Sequence, residues 1–261
     1  MELNLIGKNA FVGGSSMGIG RATAEELALL GANVTVCARS EGKLREVVAG
    51  LDRSKGQQHN FVAVDFSDEI LVEKAAVELA AERIIHILVN NTGGPAGGPI
   101  AAAAPADFLA ALHNHLIINH LLAKTFLPGM KSAGWGRIVN IISTSVKEPI
   151  DGLGVSNTTR GAVASWAKTL AGEVGPFGIT VNNVLPGYTR TGRLDEIIQK
   201  RSSSSGQTSD SVENAFKNNV PLRRFAEPSE VAAVVAFLAS PAAGYVSGVN
   251  LAVDGGRMKS L

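Results

Sequence analysis

Gly14, Gly18 and Gly20 stand together in the stretch FVGGSSMGIGRATAEEL, at a spacing that can cradle phosphate. An apolar run precedes them and a helical pattern follows, which predicts a strand at Ala10–Val12 and a helix from Gly18 to Leu30. In that setting glycines permit a tight turn and let the backbone approach a pyrophosphate, which the free N–H groups and positive end of the helix attract. Ser15, Ser16, Met17 and Ile19 complete the expected cofactor-binding turn. The next strand, Asn33–Ala38, ends in CARSEGK, with Arg39 where an acidic side chain would accept from both ribose hydroxyls of NAD. A guanidinium there suits a 2′-phosphate, so NADP(H) is favoured and NAD(H) stays possible, with Glu41 close by.

These residues need a scaffold. Short apolar runs at Phe61–Val64, Ile85–Val89, Arg137–Ile142, Ile179–Leu185 and Leu251–Val253 predict further strands. Between them lie helical patterns near Lys43–Asp52, after Ser67 as a candidate cap, over Pro105–Ala133 (ended or broken near Pro128) and over 157–174. Strands alternating with helices imply parallel βαβ units. The expectation is an α/β fold: a single-domain, Rossmann-like, doubly wound parallel sheet of about seven strands with helices on both faces. Residues 190–218, containing SSSSGQTS, are the compositional outlier and read as a mobile substrate-loop insertion or a plain solvated loop.

A net charge of +1 gives no ground for a nucleic-acid or membrane partner. One cysteine, Cys37, excludes an internal disulfide and suits a reducing, cytoplasmic setting. The beginning, MELNLIGKNAFVGG, does not read as a secretory signal, and no run of about 18 apolar residues reads as a membrane span. No metal is expected.

Several segments carry a family likeness. GGSSMGIG resembles the TGxxxGIG loop of the short-chain dehydrogenases/reductases, with Gly13 where that family usually has threonine. VDFSD is similar to the family segment whose aspartate, here Asp65 beside Phe66, lies by the adenine. NNTG resembles the family's NNAG and adds Asn91, Thr92 and Gly93 to the expected cofactor set. WGRIVNIIS resembles the fifth strand, ending in the catalytic serine, here Ser143. VNNVLPGYTRTG resembles the sixth strand and its turn at Pro186–Gly187, followed by Thr189, and SGVNLAVDGG resembles the last strand. The resemblance covers nearly the whole chain. It implies hydride transfer between nicotinamide and a small carbonyl or alcohol substrate, and a homo-oligomer, commonly a tetramer.

By the same resemblance the proton-moving residues are altered. The family's tyrosine and the lysine four residues later fall on Ser156 and Arg160, and its asparagine falls on His115, with Asn119 one turn on as a spatial substitute. Arg160 can still bond ribose hydroxyls but cannot cycle a proton, and the Ser156 hydroxyl is a much poorer acid than a phenol. Tyr188 and His115 are the candidates for a relocated donor; a packing role stands beside each. Tyr245 reads as structural, in a region that commonly packs against a partner subunit. Lys147 and Asp151, on the loop after Ser143, read as site-mouth or solvated charges. The stretch NTGGPAGGPIAAAAP at 91–105 is a substrate rim or a surface loop. Pro95–Pro99, Val146–Leu153 and Tyr188–Asn219 would line a pocket for a modest neutral or weakly polar molecule, with Arg190 and Arg193 the only hint of an anionic one. The expected function is an NADP(H)-dependent oxidoreductase with an altered proton-donor set. The alternatives are a non-catalytic NADP(H)-binding sensor or partner subunit, and non-redox lyase or isomerase chemistry.

Overall fold

The computed structural model describes residues 1–260. Its strands are β1 (Asn9–Gly13), β2 (Asn33–Ala38), β3 (Asn60–Ala63), β4 (Ile87–Asn90), β5 (Gly136–Ile141), β6 (Ile179–Pro186) and β7 (Asn250–Val253). They pair in parallel in the order β3-β2-β1-β4-β5-β6-β7. The order reverses between β1 and β4, so their carboxyl ends open a crevice there, where ligands bind in open α/β sheets.

The helices are α1 (Gly18–Leu29), α2 (Glu41–Gly50), α3 (Glu69–Glu82), α4 (Pro105–Leu112), α5 (Ile118–Ser132), α6 (Gly154–Val174), α7 (Gly192–Ser205), α8 (Ser209–Asn218) and α9 (Pro228–Ala239). They cover both faces, and the strand residues alternate between two cores. Val12, Val34, Val89 and Val139 point to one core with Leu27 of α1 and Val235 of α9. Phe11, Leu88 and Ile138 point to the other with Leu122 and Phe126 of α5. Burying each such side chain contributes about 1.5–3 kcal/mol. A chain of amides crosses the sheet beneath the crevice: Asn90 donates to Asn140, Asn140 to Asn183 and Asn183 to Asn250, each at 2.8 Å. No helix among the described residues is long and apolar enough to cross a membrane.

Three local expectations need correction. Asp68, not Ser67, caps α3, its carboxylate accepting from the Leu71 N–H at 3.0 Å. The long pattern over 105–133 is not ended at Pro128, which sits inside α5. A proline removes one helical N–H, and buried Met130 still anchors the last turn. The interruption falls earlier, at His113–Ile117, a π-turn in which the Ile118 N–H donates to the His113 carbonyl. Residues 190–218 hold two helices: Gly206 ends α7 in the left-handed region and Thr208 caps α8. Leu194, Ile198, Val212 and Phe216 bury against each other there.

Candidate active site

The turn after β1 is shaped by two contacts. Gly14 has φ +56, and the Asn91 amide, from the end of β4, donates to the carbonyls of Gly13 and Gly14 at 3.2 Å each. A Cβ on Gly20 would sit 2.7 Å from Asn91 Nδ2 and collide with the Gly14 carbonyl, so α1 can pack against the turn only with glycine there. Gly13, at the family's threonine position, has a similar cause: a Cβ would lie 3.0 Å from the Asn91 carbonyl and 3.1 Å from the Phe66 ring. Met17 offers no side-chain cap to α1 and the first turn carries no acidic residue, so the N–H groups at that helix end are left for an anion. The backbone cradle thus fits a dinucleotide pyrophosphate.

Ser15 and Gly20 do not line the cleft. The Ser15 hydroxyl turns inward, donating to the Val12 carbonyl and accepting from the Cys37 N–H, both at 2.8 Å, and so ties β1 to β2. Burial pushes the Cys37 thiol up. The other expected residues of the turn, Gly14, Ser16, Met17, Gly18 and Ile19, form one wall of a cleft of about 1980 Å³.

At the β2–β3 end the cleft is lined by Arg39, Ser40, Lys43, Asp65 and Phe66. Arg39 is 80% exposed and 3.8 Å from Asp65, a loose pair that leaves its fork free for a phosphate. The Asp65 carboxyl is held below its usual range first by the Ser67 N–H and only weakly by Arg39. Asn91, Thr92 and Gly93 form the wall after β4, and Pro186, Gly187 and Thr189 the wall after β6. Gly187 fits because a Cβ there would meet Asp254 Cα at 2.7 Å.

Over β5 the same cleft reaches Ser143, Ser156, Arg160 and Tyr188. Ser156 and Arg160 are one turn apart on α6 and both face it. The Ser143 hydroxyl accepts from the Ser145 N–H at 3.1 Å. Arg160 is 7% exposed, donates to the Ile141 carbonyl at 3.3 Å, and its Nε has no partner. Burial and then Arg193 lower its pKa to about 10, so it stays cationic at neutral pH. The Tyr188 ring stacks on Phe216, with centroids 4.7 Å apart and planes 2° from parallel, and lies under the Arg257 guanidinium. That engagement fits a cleft-lining aromatic.

His115 does not reach the main cleft. It is 2% exposed and lines an adjoining cavity of about 430 Å³ with Asn114, Asp107 and the 93–99 loop. Its Nδ1 shares a hydrogen bond with the Thr92 hydroxyl, which lines the main cleft. Burial, and then Arg160, lower its pKa to about 3, so the imidazole is neutral at physiological pH. Asn119 is buried and lines neither cavity. Asp151 lines the cleft and Lys147 does not. Tyr245 is fully exposed, away from it.

Sequence reading missed Arg257, whose Nη1 donates to Thr144 Oγ1 at 3.1 Å on the cleft wall. It also missed Lys200, which donates to the Gly97 carbonyl at 3.0 Å, as Arg193 does to that of Pro95 at 2.7 Å. These two bonds hold α7 against the 91–99 loop across the cleft. Nothing in the local pattern announces such long-range contacts.

The family model for enoyl-(acyl carrier protein) reductase matches residues 14–257. Over 259 residues the chain is 33% identical to the 3-oxoacyl-(acyl-carrier-protein) reductase of Aquifex aeolicus, covering 98% of this chain and 99% of that one. It is also 33% identical over 257 residues to a chloroplastic tropinone reductase homolog of Arabidopsis thaliana, covering 97% and 76%. Among solved structures, L-sorbose reductase from Gluconobacter frateurii, complexed with NADPH and L-sorbose, matches with a TM-score of 0.93 at 32% identity over 100% of both chains. Matched in sequence and in fold along almost all of its length, the chain belongs to the short-chain dehydrogenase/reductase family.

Proposed function

We propose that this protein is an NADP(H)-dependent oxidoreductase acting on a small carbonyl or alcohol substrate, with a proton route that replaces the family's tyrosine. The observation that carries the reading is the continuity of the cleft. One cavity joins the glycine cradle and Arg39 to Ser143, Ser156 and Arg160. Arg39 favours the phosphorylated coenzyme, and the sorbose reductase relative carries NADPH.

In the reducing direction bound NADPH would supply a hydride to the carbonyl carbon, and the carbonyl oxygen would need a proton to become the alcohol. Ser143 and Ser156 donate hydrogen bonds to that oxygen. Arg160 would hold the nicotinamide ribose through its N–H groups. The proton comes from Thr92, whose hydroxyl is resupplied by His115. A neutral imidazole carrying its proton on Nδ1 can release it to Thr92 while Nε2 takes one from solvent water entering the side cavity, which is left as hydroxide, so the ring never has to bear a charge in its buried site. The buried free thiol of Cys37 fits a cytosolic setting. Exposed Tyr245, and Leu251 on the edge strand β7, offer apolar surface for a homo-oligomer.

A second reading, a non-catalytic NADP(H)-binding sensor or partner subunit, is favoured by one observation: the helix positions that resemble the family's tyrosine and lysine carry Ser156 and Arg160, neither of which readily gives up a proton. Calorimetry with NADPH and NADH, run beside loss of NADPH absorbance over a panel of ketones and aldehydes, separates the two. Binding with turnover supports the enzyme; binding without turnover supports the sensor. Failure to bind either coenzyme sinks both. The double change Ser156→Tyr with Arg160→Lys should raise turnover if the rest of the pocket is that of a reductase.

A further inference from the structure

Arg160 is a buried cation without a counter-ion. Its side chain is 7% exposed, its Nε has no partner, and its one hydrogen bond goes to a neutral carbonyl, that of Ile141. No carboxylate among the described residues pairs with it. Its charged neighbour is another cation, Arg193, and Arg257 adds a third to the same cleft. The acidic groups near the substrate end, Asp151 and Glu196, are exposed, and Glu196 is taken up by Arg193 at 3.2 Å.

A buried, unpaired charge is costly and persists where a ligand completes it. The nicotinamide ribose can occupy N–H groups of Arg160, but its hydroxyls are neutral and leave the charge unanswered. The coenzyme phosphates have partners of their own. Their cradle is at the end of β1 and their Arg39 at the end of β2, whereas Arg160 reaches over β5, two strands from β1 in the sheet. A substrate anion is the partner that this arrangement leaves room for.

We propose that the substrate is a carbonyl compound, or the corresponding alcohol, bearing a carboxylate or similarly compact anionic group, and that Arg160 binds that group. This deepens the proposed function and rests on it. It departs from the neutral molecule that the small, apolar and hydroxyl lining suggests. It also gives a reason for arginine in place of lysine: a planar fork can pair two N–H groups with two carboxylate oxygens and still offer an edge to the ribose.

The test uses wild type, Arg160→Gln and Arg160→Lys, each first titrated with NADPH. Pyruvate, acetoacetate, levulinate and phenylpyruvate, each beside its methyl ester, are then titrated by calorimetry into protein saturated with NADPH. The acids place the carboxylate at different distances from the ketone. For wild type at least one acid should bind tenfold or more tightly than its ester; Arg160→Gln should bring that ratio near one, and Arg160→Lys should restore part of it. NADPH binding with no acid preferred over its ester overturns the anion assignment alone. So does a preference that survives in Arg160→Gln. Failure of wild type to bind NADPH overturns the proposed function beneath it.

Discussion

The hydroxyl of Thr92, on the loop after β4, is hydrogen-bonded to Nδ1 of His115, in the π-turn between α4 and α5. Thr92 lines the main cleft and His115 the side cavity, so the bond runs from one to the other. Within the π-turn His115 is the buried residue. The imidazole is then buried, and burial keeps it neutral.

Neutrality has a consequence for stability. The unfolded chain takes up a proton at His115 near the usual 6.5, while the folded chain resists it down to about 3. Between those values the unfolded state binds more protons, so stability is complete above 6.5 and falls as the pH drops towards 3. The slope approaches about 1.4 kcal/mol per pH unit for one such group. His59 and His86, also lowered by burial, add to it. Urea midpoints at neutral and mildly acidic pH should show the loss in wild type and a smaller loss in His115→Phe.

The relay makes a kinetic prediction. His115→Phe should lower kcat by about 10²–10⁴, the usual worth of a positioned proton donor, with little change in NADPH affinity. Rates measured beside a coenzyme titration decide it. An unchanged kcat would remove His115 and Thr92 from the chemistry.

Arg39→Ala should weaken NADPH binding about tenfold to a hundredfold, since a hydrogen bond to a charged group contributes about 1.5–3 kcal/mol. NADH, lacking the 2′-phosphate, should bind as before. The NADPH loss should shrink as salt is raised, because Arg39 is exposed.

Gly20→Ala should destabilise the fold by about 1–3 kcal/mol and weaken both coenzymes, because the new methyl meets the backbone of Gly14 and the amide of Asn91. Gly42→Ala, in α2 with nothing within 4 Å, is the control and should be neutral or slightly stabilising. Melting temperatures and coenzyme titrations read both.

Much of the site was legible because its signals are local. Gly14, Gly18 and Gly20 announce a turn by their spacing, and Ser156 and Arg160 share a face because four residues make about one helical turn. The order of strands and helices implied the parallel sheet. Ser15 was misread because its neighbours in sequence sit on the cleft while its own hydroxyl is claimed by Val12 and Cys37. The π-turn was invisible because its residues keep an ordinary helical pattern. Whether a carbonyl bonds four or five residues on is decided by what packs against the helix.

The sequence by itself determined the class of fold, the glycine-rich turn after β1 and the placing of a hydroxyl, Ser156, one helical turn before a guanidinium, Arg160. Those follow from residue types at short separations, where backbone geometry leaves little freedom. Only the tertiary structure decided which charges meet. That His115 is buried and neutral, that Arg257 reaches the cleft, and that Arg160 is buried without an anion all depend on groups far apart in the chain. A charge acts through its distance to other charges and to water, and folding sets both.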